Sequence, residues 1–213
     1  MIPGILARGT VRIRYIGPDA IEELALFTLT LLWFLFALIF FLGRRGAAPK
    51  TKTTTRSNTS RIGITMQMIA YAIVYAFERP YFTPIVPMSR RVESFVLLLA
   101  TAVGVASIWL CYTAARALGK QWSLVARIVS GHELIQQGPF SMVRNPIYLA
   151  MFGLLLQAGI VVSVWQAIVP ASILFLIGTW VRIREEEKIL RQEFGPAFDE
   201  YARRVPAFIP GLF

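Results

Sequence analysis

With 213 residues, 56% of them hydrophobic, a mean hydropathy of +0.59 and a formal net charge of +10, the chain is too apolar for an ordinary soluble domain and reads as one membrane-embedded unit. A single cysteine, Cys111, and a single histidine, His132, exclude a disulfide framework or a Cys/His metal cluster built from this chain, so no metal site is expected. The Lys and Arg excess lies between apolar stretches, where it sets membrane orientation and meets anionic headgroups, and this argues against nucleic acid as a partner.

Residues 24–42 form a charge-free run of 19, flanked by Glu22 and Glu23 on one side and Arg44 and Arg45 on the other. That length spans a bilayer and exceeds the roughly 7 to 15 apolar residues of a cleaved signal. Residues 44–61 are basic, rich in Thr and Ser and without apolar periodicity, the pattern of a surface loop. A second span, marginal in length, is predicted over residues 62–77, followed by a loop holding Pro80, Pro84 and Pro87, where a helix cannot continue. A third span covers residues 95–115.

After a polar stretch at 116–144, residues 147–181 carry no charge over 35 positions, enough for two spans. A short turn near residues 163–166 would make them a tight hairpin whose backbone polar groups are satisfied within the helices. The expected fold is all-α: a polytopic membrane helix bundle of about five transmembrane helices, with a C-terminal helical hairpin and a cytoplasmic amphipathic tail. Residues 1–92 form an N-terminal membrane region with two spans and a basic loop, and residues 93–213 form the core that carries the chemistry. The first loop, the third loop and the tail hold 16 of the 22 Lys and Arg residues, which places the C-terminus in the cytoplasm and the N-terminus outside. The membrane would be a bacterial inner membrane or the endoplasmic reticulum.

Candidate chemistry concentrates in two segments on the cytoplasmic side, GHELIQQGPFSMVRNPIY at 131–148 and RIREEEKILRQEFGPAFDEYARRVPAFIP at 182–210. Asn145-Pro146 predicts a helix start, with Asn as cap and Pro at the first helical position, and the amides of such a start can hold an anionic group. Arg144, just before it, reads as a residue snorkelling to the interface. In the second segment Ile183, Glu187, Leu190 and Phe194 share one helical face, so Glu187 sits on an otherwise apolar stripe. A carboxylate there requires a partner. The alternatives are a ligand, preferred for Glu186 and Glu187, or ion pairs: Arg182 and Glu186 are spaced i, i+4, and Arg184 and Lys188 are nearby. Gly195-Pro196 ends the helix, and Phe198, Tyr201 and Val205 predict a short amphipathic helix on the membrane surface. Tyr201 and Phe194 read as packing residues.

Both segments resemble the isoprenylcysteine carboxyl methyltransferases, their bacterial relatives and the phospholipid methyltransferases. The first is similar to G-H-x-L (Gly131, His132, Leu134), G-P-[YF] (Gly138 to Phe140) and V-R-H-P-x-Y. The second is similar to an Arg at Arg182, E-E-x-x-L at Glu186 to Leu190, F-G, Y and V-P-x-x-I-P. The likeness covers about 80 C-terminal residues; the first 90 carry no such signature. It implies S-adenosyl-L-methionine as cofactor, bound by His132, Leu134, Gly138, Asn145, Tyr148, Glu186 and Glu187. It also implies Arg144, Arg182 and Glu187 at the reacting centre, with Arg144 orienting a carboxylate or phosphate. S-adenosylmethionine carries a sulfonium, an ammonium and ribose hydroxyls, all of which a carboxylate can serve. Asn145 departs from the family's His: it can hydrogen-bond but takes no proton near neutral pH.

The resulting expectation is S-adenosylmethionine-dependent methyl transfer to a hydrophobic, membrane-resident acceptor, a lipid or lipophilic small molecule. A carboxylate acceptor, already ionised, is favoured over an amine because no base beyond Glu187 is evident. The alternatives are an NADPH-dependent membrane sterol or steroid reductase, whose C-terminal region is distantly similar, and a non-catalytic membrane protein. A channel is not expected, since the charge-free hairpin offers no ion path.

Overall fold

A computed structural model of the protein describes residues 20–46, 58–119 and 134–209. Six α-helices follow one another: α1 (Ala20–Gly46), α2 (Asn58–Ala76), α3 (Arg90–Leu118), α4 (Pro146–Val162), α5 (Trp165–Phe194) and α6 (Pro196–Arg204), with a 3-10 turn at Gly138–Ser141 before α4. Among the described residues there is no strand, and Glu78 and Ser163 form an isolated bridge. The all-α expectation holds.

Hydropathy predicts five crossings; three helices, α1, α3 and α5, meet the length and apolarity that a crossing requires. The apolar α4 has 17 residues, and α2 has 19. Helix α2 packs on α5, α3 on α4, and α1 on α3. The core between them holds Leu29, Tyr71, Val74, Leu155, Ala158 and Phe175, with the Tyr71 ring edge-on to Phe175 at 6.0 Å between centroids. Phe27, Phe34, Phe95, Trp109, Trp165 and Trp180 point outward and stay exposed. A bundle in hydrocarbon solvent presents such an apolar outer surface.

Two glycines set the α2–α5 distance. A Cβ on Gly63 would stand 2.6 Å from the Gly178 carbonyl oxygen, and one on Gly178 would stand 2.8 Å from the Gly63 oxygen, so the backbones meet where neither residue has a side chain.

The break between α4 and α5 falls at residues 163–164, as the sequence predicts, but its polar groups are not satisfied within the hairpin alone. Arg79, from the loop after α2, donates from Nη2 to the Ile160 carbonyl (2.7 Å), from Nη1 to the Ser163 carbonyl and from Nε to its own loop at Thr83 (2.7 Å). Its backbone N–H bonds Val162, while Val164 N–H and Ser163 Oγ both donate to the Phe77 carbonyl. A helix C-terminus leaves carbonyls without intrahelical partners, and a guanidinium with several donors is suited to collect them.

Helix α5 does not stop where its charge-free run ends at Val181 but continues unbroken to Phe194, so the acidic cluster rides on the same rod as the apolar span. Gly195, at φ +51°, a region costly for other residues, ends α5 and turns the chain back into α6. This corrects the expected position of the tail. Phe198, Tyr201 and Val205 are buried against Leu134, Leu190 and Phe194, so the apolar face of α6 covers the protein itself and is not available to a membrane surface.

Candidate functional site

The last turns of α5, the start of α4, the 3-10 turn and α6 converge on one end of the bundle. They enclose an open cleft with about 490 Å³ of empty space, whose lining includes Leu118, Leu134, Ile135, Arg144, Asn145, Glu186, Glu187, Leu190 and Tyr201. Polar groups occupy one wall, and aliphatic or aromatic side chains the rest. A cleft of mixed lining between helices of a bundle is a usual place for a small ligand.

Glu187 finds its partner just ahead of α4, not among its own helix's cations. Arg144 donates from Nε (2.9 Å) and Nη2 (2.6 Å) to the same oxygen, Glu187 Oε1, and from Nη1 to the carbonyls of Ala202 (2.9 Å) and Val205. Its backbone N–H bonds the Pro206 carbonyl at 2.9 Å. Both side chains are largely buried, 11% and 18% exposed, so this one guanidinium ties α5, α4 and the end of α6 together. Four of its five N–H groups are committed.

Glu186 sits beside it with different partners. Tyr148 donates its hydroxyl to Glu186 Oε1, and Arg182 Nη2 lies 3.6 Å from the same oxygen. The predicted i, i+4 pair therefore forms. The Arg182 guanidinium also stacks over the Tyr148 ring, 4.5 Å from its centroid, and donates from Nη1 to Gln67 Oε1 at 3.0 Å. Arg182 stands behind Glu186 rather than in the cleft lining.

Asn145 occupies the cap position of α4, yet its side chain makes no cap bond. Its Nδ2 instead donates to the Ala207 carbonyl at 2.8 Å, because the segment after α6 lies alongside and offers a carbonyl in reach. The expected capping role is thus corrected to a tail contact. Leu134 lines the cleft and packs on the α6 cluster; Gly138, at φ +61°, opens the 3-10 turn and is not part of the lining. His132 lies outside the described residues. Tyr201 donates to the Phe140 carbonyl at 2.6 Å, a packing role as expected, and burial pushes its phenol up to about 12 despite the opposing pull of Arg144.

Phe140 was visible only as a motif position, and neither Gln67 nor the tail carbonyls that Arg144 and Asn145 grip stood out from sequence. The motif V-P-x-x-I-P marked the tail segment without saying what it binds, and Gln67 stood as a lone amide within an apolar run.

The class these features define is a helical membrane protein with a charged, partly apolar cleft at one end of its bundle. Residues 98–192, under half of the chain, match the isoprenylcysteine carboxyl methyltransferase (ICMT) family. Among curated proteins, the nickel-cobalt-cadmium resistance protein NccN of Alcaligenes xylosoxydans xylosoxydans is 38% identical over 101 residues, 45% of each chain. The cobalt-zinc-cadmium resistance protein CzcN of Cupriavidus metallidurans is 33% identical over 98 residues, 45% of this chain and 44% of the relative. Protein-S-isoprenylcysteine O-methyltransferase B of Arabidopsis thaliana is 34% identical over 83 residues, 37% of this chain and 40% of the relative. The chain thus matches less than half the length of each. Among the described residues no group of three or more His, Cys, Asp or Glu side chains could hold a metal ion.

Proposed function

We propose that the protein is an S-adenosylmethionine-dependent membrane methyltransferase acting on a hydrophobic, membrane-resident acceptor, with a carboxylate favoured as the accepting group. The observation that carries this reading is the pair of adjacent carboxylates, Glu186 and Glu187, on the wall of a cleft otherwise largely apolar. Arg144 and Arg182 each engage Oε1 of one of these carboxylates. Such a wall fits a ligand bearing both positive charge and hydroxyl groups. The family match over residues 98–192 supports the same reaction class.

When bound, S-adenosylmethionine supplies an electrophilic methyl group on a sulfonium. The chain's own residues hold, orient and desolvate. Glu186 and Glu187 serve the cationic and hydroxyl groups of the cofactor, Tyr148 fixes Glu186 from one side, and Leu118, Leu134 and Leu190 exclude water from the reacting atoms. Arg144, a cleft-lining residue with one N–H outside its four bonds, orients an anionic acceptor. Glu187 is ion-paired and Glu186 accepts from Tyr148, so neither is a ready base. An acceptor that is already ionised needs none, which favours a carboxylate over an amine. The excess of Lys and Arg in the segments at this end of the bundle favours a cytoplasmic placement, where a soluble cofactor can enter.

Titration calorimetry on the detergent-solubilised protein tests the reading. Saturable binding of S-adenosylmethionine, weakened in Glu186→Gln, is expected; saturable NADPH binding in its place would overturn it in favour of a reductase. Incubating membrane extracts with methyl-labelled cofactor then identifies the acceptor, since label on a base-labile ester separates a carboxylate from an amine.

A further inference from the structure

The geometry points to Gln67, on α2, as a positioning residue for the cleft, although α2 lies wholly outside the stretch that matches the family model. Gln67 is 1% exposed, and both ends of its amide are engaged: Nε2 donates to Thr179 Oγ1 at 2.8 Å, and Oε1 accepts from Arg182 Nη1 at 3.0 Å. Arginine carries no acceptor, so the amide oxygen must face it. From Arg182 the line continues to Glu186 Oε1, and from there to the Tyr148 hydroxyl. A connected set of polar groups therefore runs from the middle of α2 to a carboxylate on the cleft wall.

The close approach of α2 and α5 at Gly63 and Gly178 makes this reach possible. Gly63 is one turn before Gln67, Gly178 one turn before Arg182, and a Cβ on Gly63 would stand 2.5 Å from Arg182 Cγ. Arg182 is thus clasped by Gln67 on α2 and the Tyr148 ring on α4. Held there, it keeps its Nη2 beside Oε1 of Glu186, a residue of the cleft lining. Without the amide, the guanidinium loses its anchor on α2, swings toward the carboxylates and competes with whatever cation they bind. Helix α2 therefore completes the binding wall.

The inference rests on the reading of the cleft as a cofactor site, and its test separates the two. S-adenosylmethionine affinity is measured for the wild type, for Gln67→Met, which keeps the volume and removes both polar ends, and for Gln67→Glu, which keeps an acceptor for Arg182. Alongside, nitrogen NMR of the Arg182 guanidinium, assigned by Arg182→Lys, reads whether its rotation is restrained. Loss of a hydrogen bond to a charged group predicts an affinity drop of about tenfold or more in Gln67→Met. Recovery toward wild type is expected in Gln67→Glu, with restrained guanidinium signals in the wild type and averaged ones in the Met variant. Because the second carboxylate oxygen of Glu can accept from the Thr179 hydroxyl, rescue by Glu counts for the positioning role only together with restored restraint of the guanidinium signals.

If Gln67→Met does not fold, Gln67→Asn, whose amide is one methylene too short to reach Arg182, takes its place with the same expectation. A wild type that binds no S-adenosylmethionine but whose Arg182 signals still average in the variant would overturn the cofactor reading and support the positioning role. Unchanged affinity together with unchanged guanidinium signals would overturn the positioning role.

Discussion

Arg144 Nη2 lies 2.6 Å from Glu187 Oε1, and Nε bonds the same oxygen, so two residues 43 apart in sequence lock the start of α4 to the end of α5 at the wall of the cleft. The same guanidinium binds carbonyls of residues 202 and 205, which makes it the hinge pin of the tail. Removing one partner of a buried pair costs about 3–5 kcal/mol; at 11% and 18% exposure this pair belongs near the lower end. Arg144→Ala is expected to lower stability by about 3 kcal/mol and to release the tail to protease. Arg144→Lys recovers only part, because a point charge cannot bind a carboxylate bidentately and two carbonyls at once. Thermal unfolding in detergent with limited proteolysis is the check, and a tail equally protected in Arg144→Ala would refute the pin.

Asn145 uses its amide as a donor to Ala207, a role that a neutral imidazole N–H also fills. Asn145→His is therefore expected to keep wild-type stability and cofactor affinity, whereas Asn145→Leu strands the Ala207 carbonyl and costs about 1–3 kcal/mol. If the His variant gained activity by tenfold or more, position 145 would bear on proton transfer, a role Asn cannot fill, and not on the tail contact alone.

How far these contacts could be read from sequence follows from their range. The spans at α1, α3 and α5 and the break at residues 163–164 were legible because hydropathy and turn chemistry are local, and Glu187 stood out because an i, i+4, i+7 stripe is local too. Its partner was not legible: Arg184 and Lys188 are near in sequence, but Arg144 is near only once α4 and α5 pair as a hairpin. Amphipathicity exposed α6 as a helix with one apolar face without distinguishing a lipid surface from Leu134, Leu190 and Phe194. Gln67 could be noticed only as an anomaly in a span, since its role depends on which helix lies across from it.

The α2–α5 contact should be intolerant of a single methyl group. In Gly63→Ala the new Cβ meets the Gly178 carbonyl oxygen, a backbone atom that cannot move aside without separating the helices. Overpacking of this kind costs about 1–3 kcal/mol, and Gly178→Ala should behave alike. Because the two substitutions strain one contact, their effects in thermal unfolding should be less than additive when combined; full additivity would mean that each glycine acts alone.

Tyr201 gives a stability change at high pH whose sign is fixed. Its phenol, pushed up to about 12 by burial, ionises less readily in the fold than in the unfolded chain, where Tyr titrates near 10. The neutral form that donates to Phe140 therefore contributes stability fully below pH 10 and loses it as pH rises from about 10 through 12. Tyr201→Phe should cost about 1 kcal/mol at neutral pH and flatten the decline above pH 10. Parallel declines in both proteins would assign the loss to other groups.

Arg79 stands at the opposite end of α4 from the cleft, about 25 Å away for a 17-residue helix, and so separates stability from binding. It satisfies the Ile160 and Ser163 carbonyls at a turn where Ser163 is fully buried in the protein. Arg79→Met leaves these acceptors without a donor, and on the order of 1–3 kcal/mol for each stranded group predicts a large drop in unfolding temperature. Arg79→Lys, with one compact ammonium, should reach one carbonyl and restore about half. Since no cleft residue contacts this turn, the folded fraction of either variant should bind S-adenosylmethionine within about twofold of wild type, a shift of under 0.5 kcal/mol. A tenfold loss of affinity with unfolding unchanged would show that the turn communicates with the cleft through α4 and would remove Arg79 from a purely structural role.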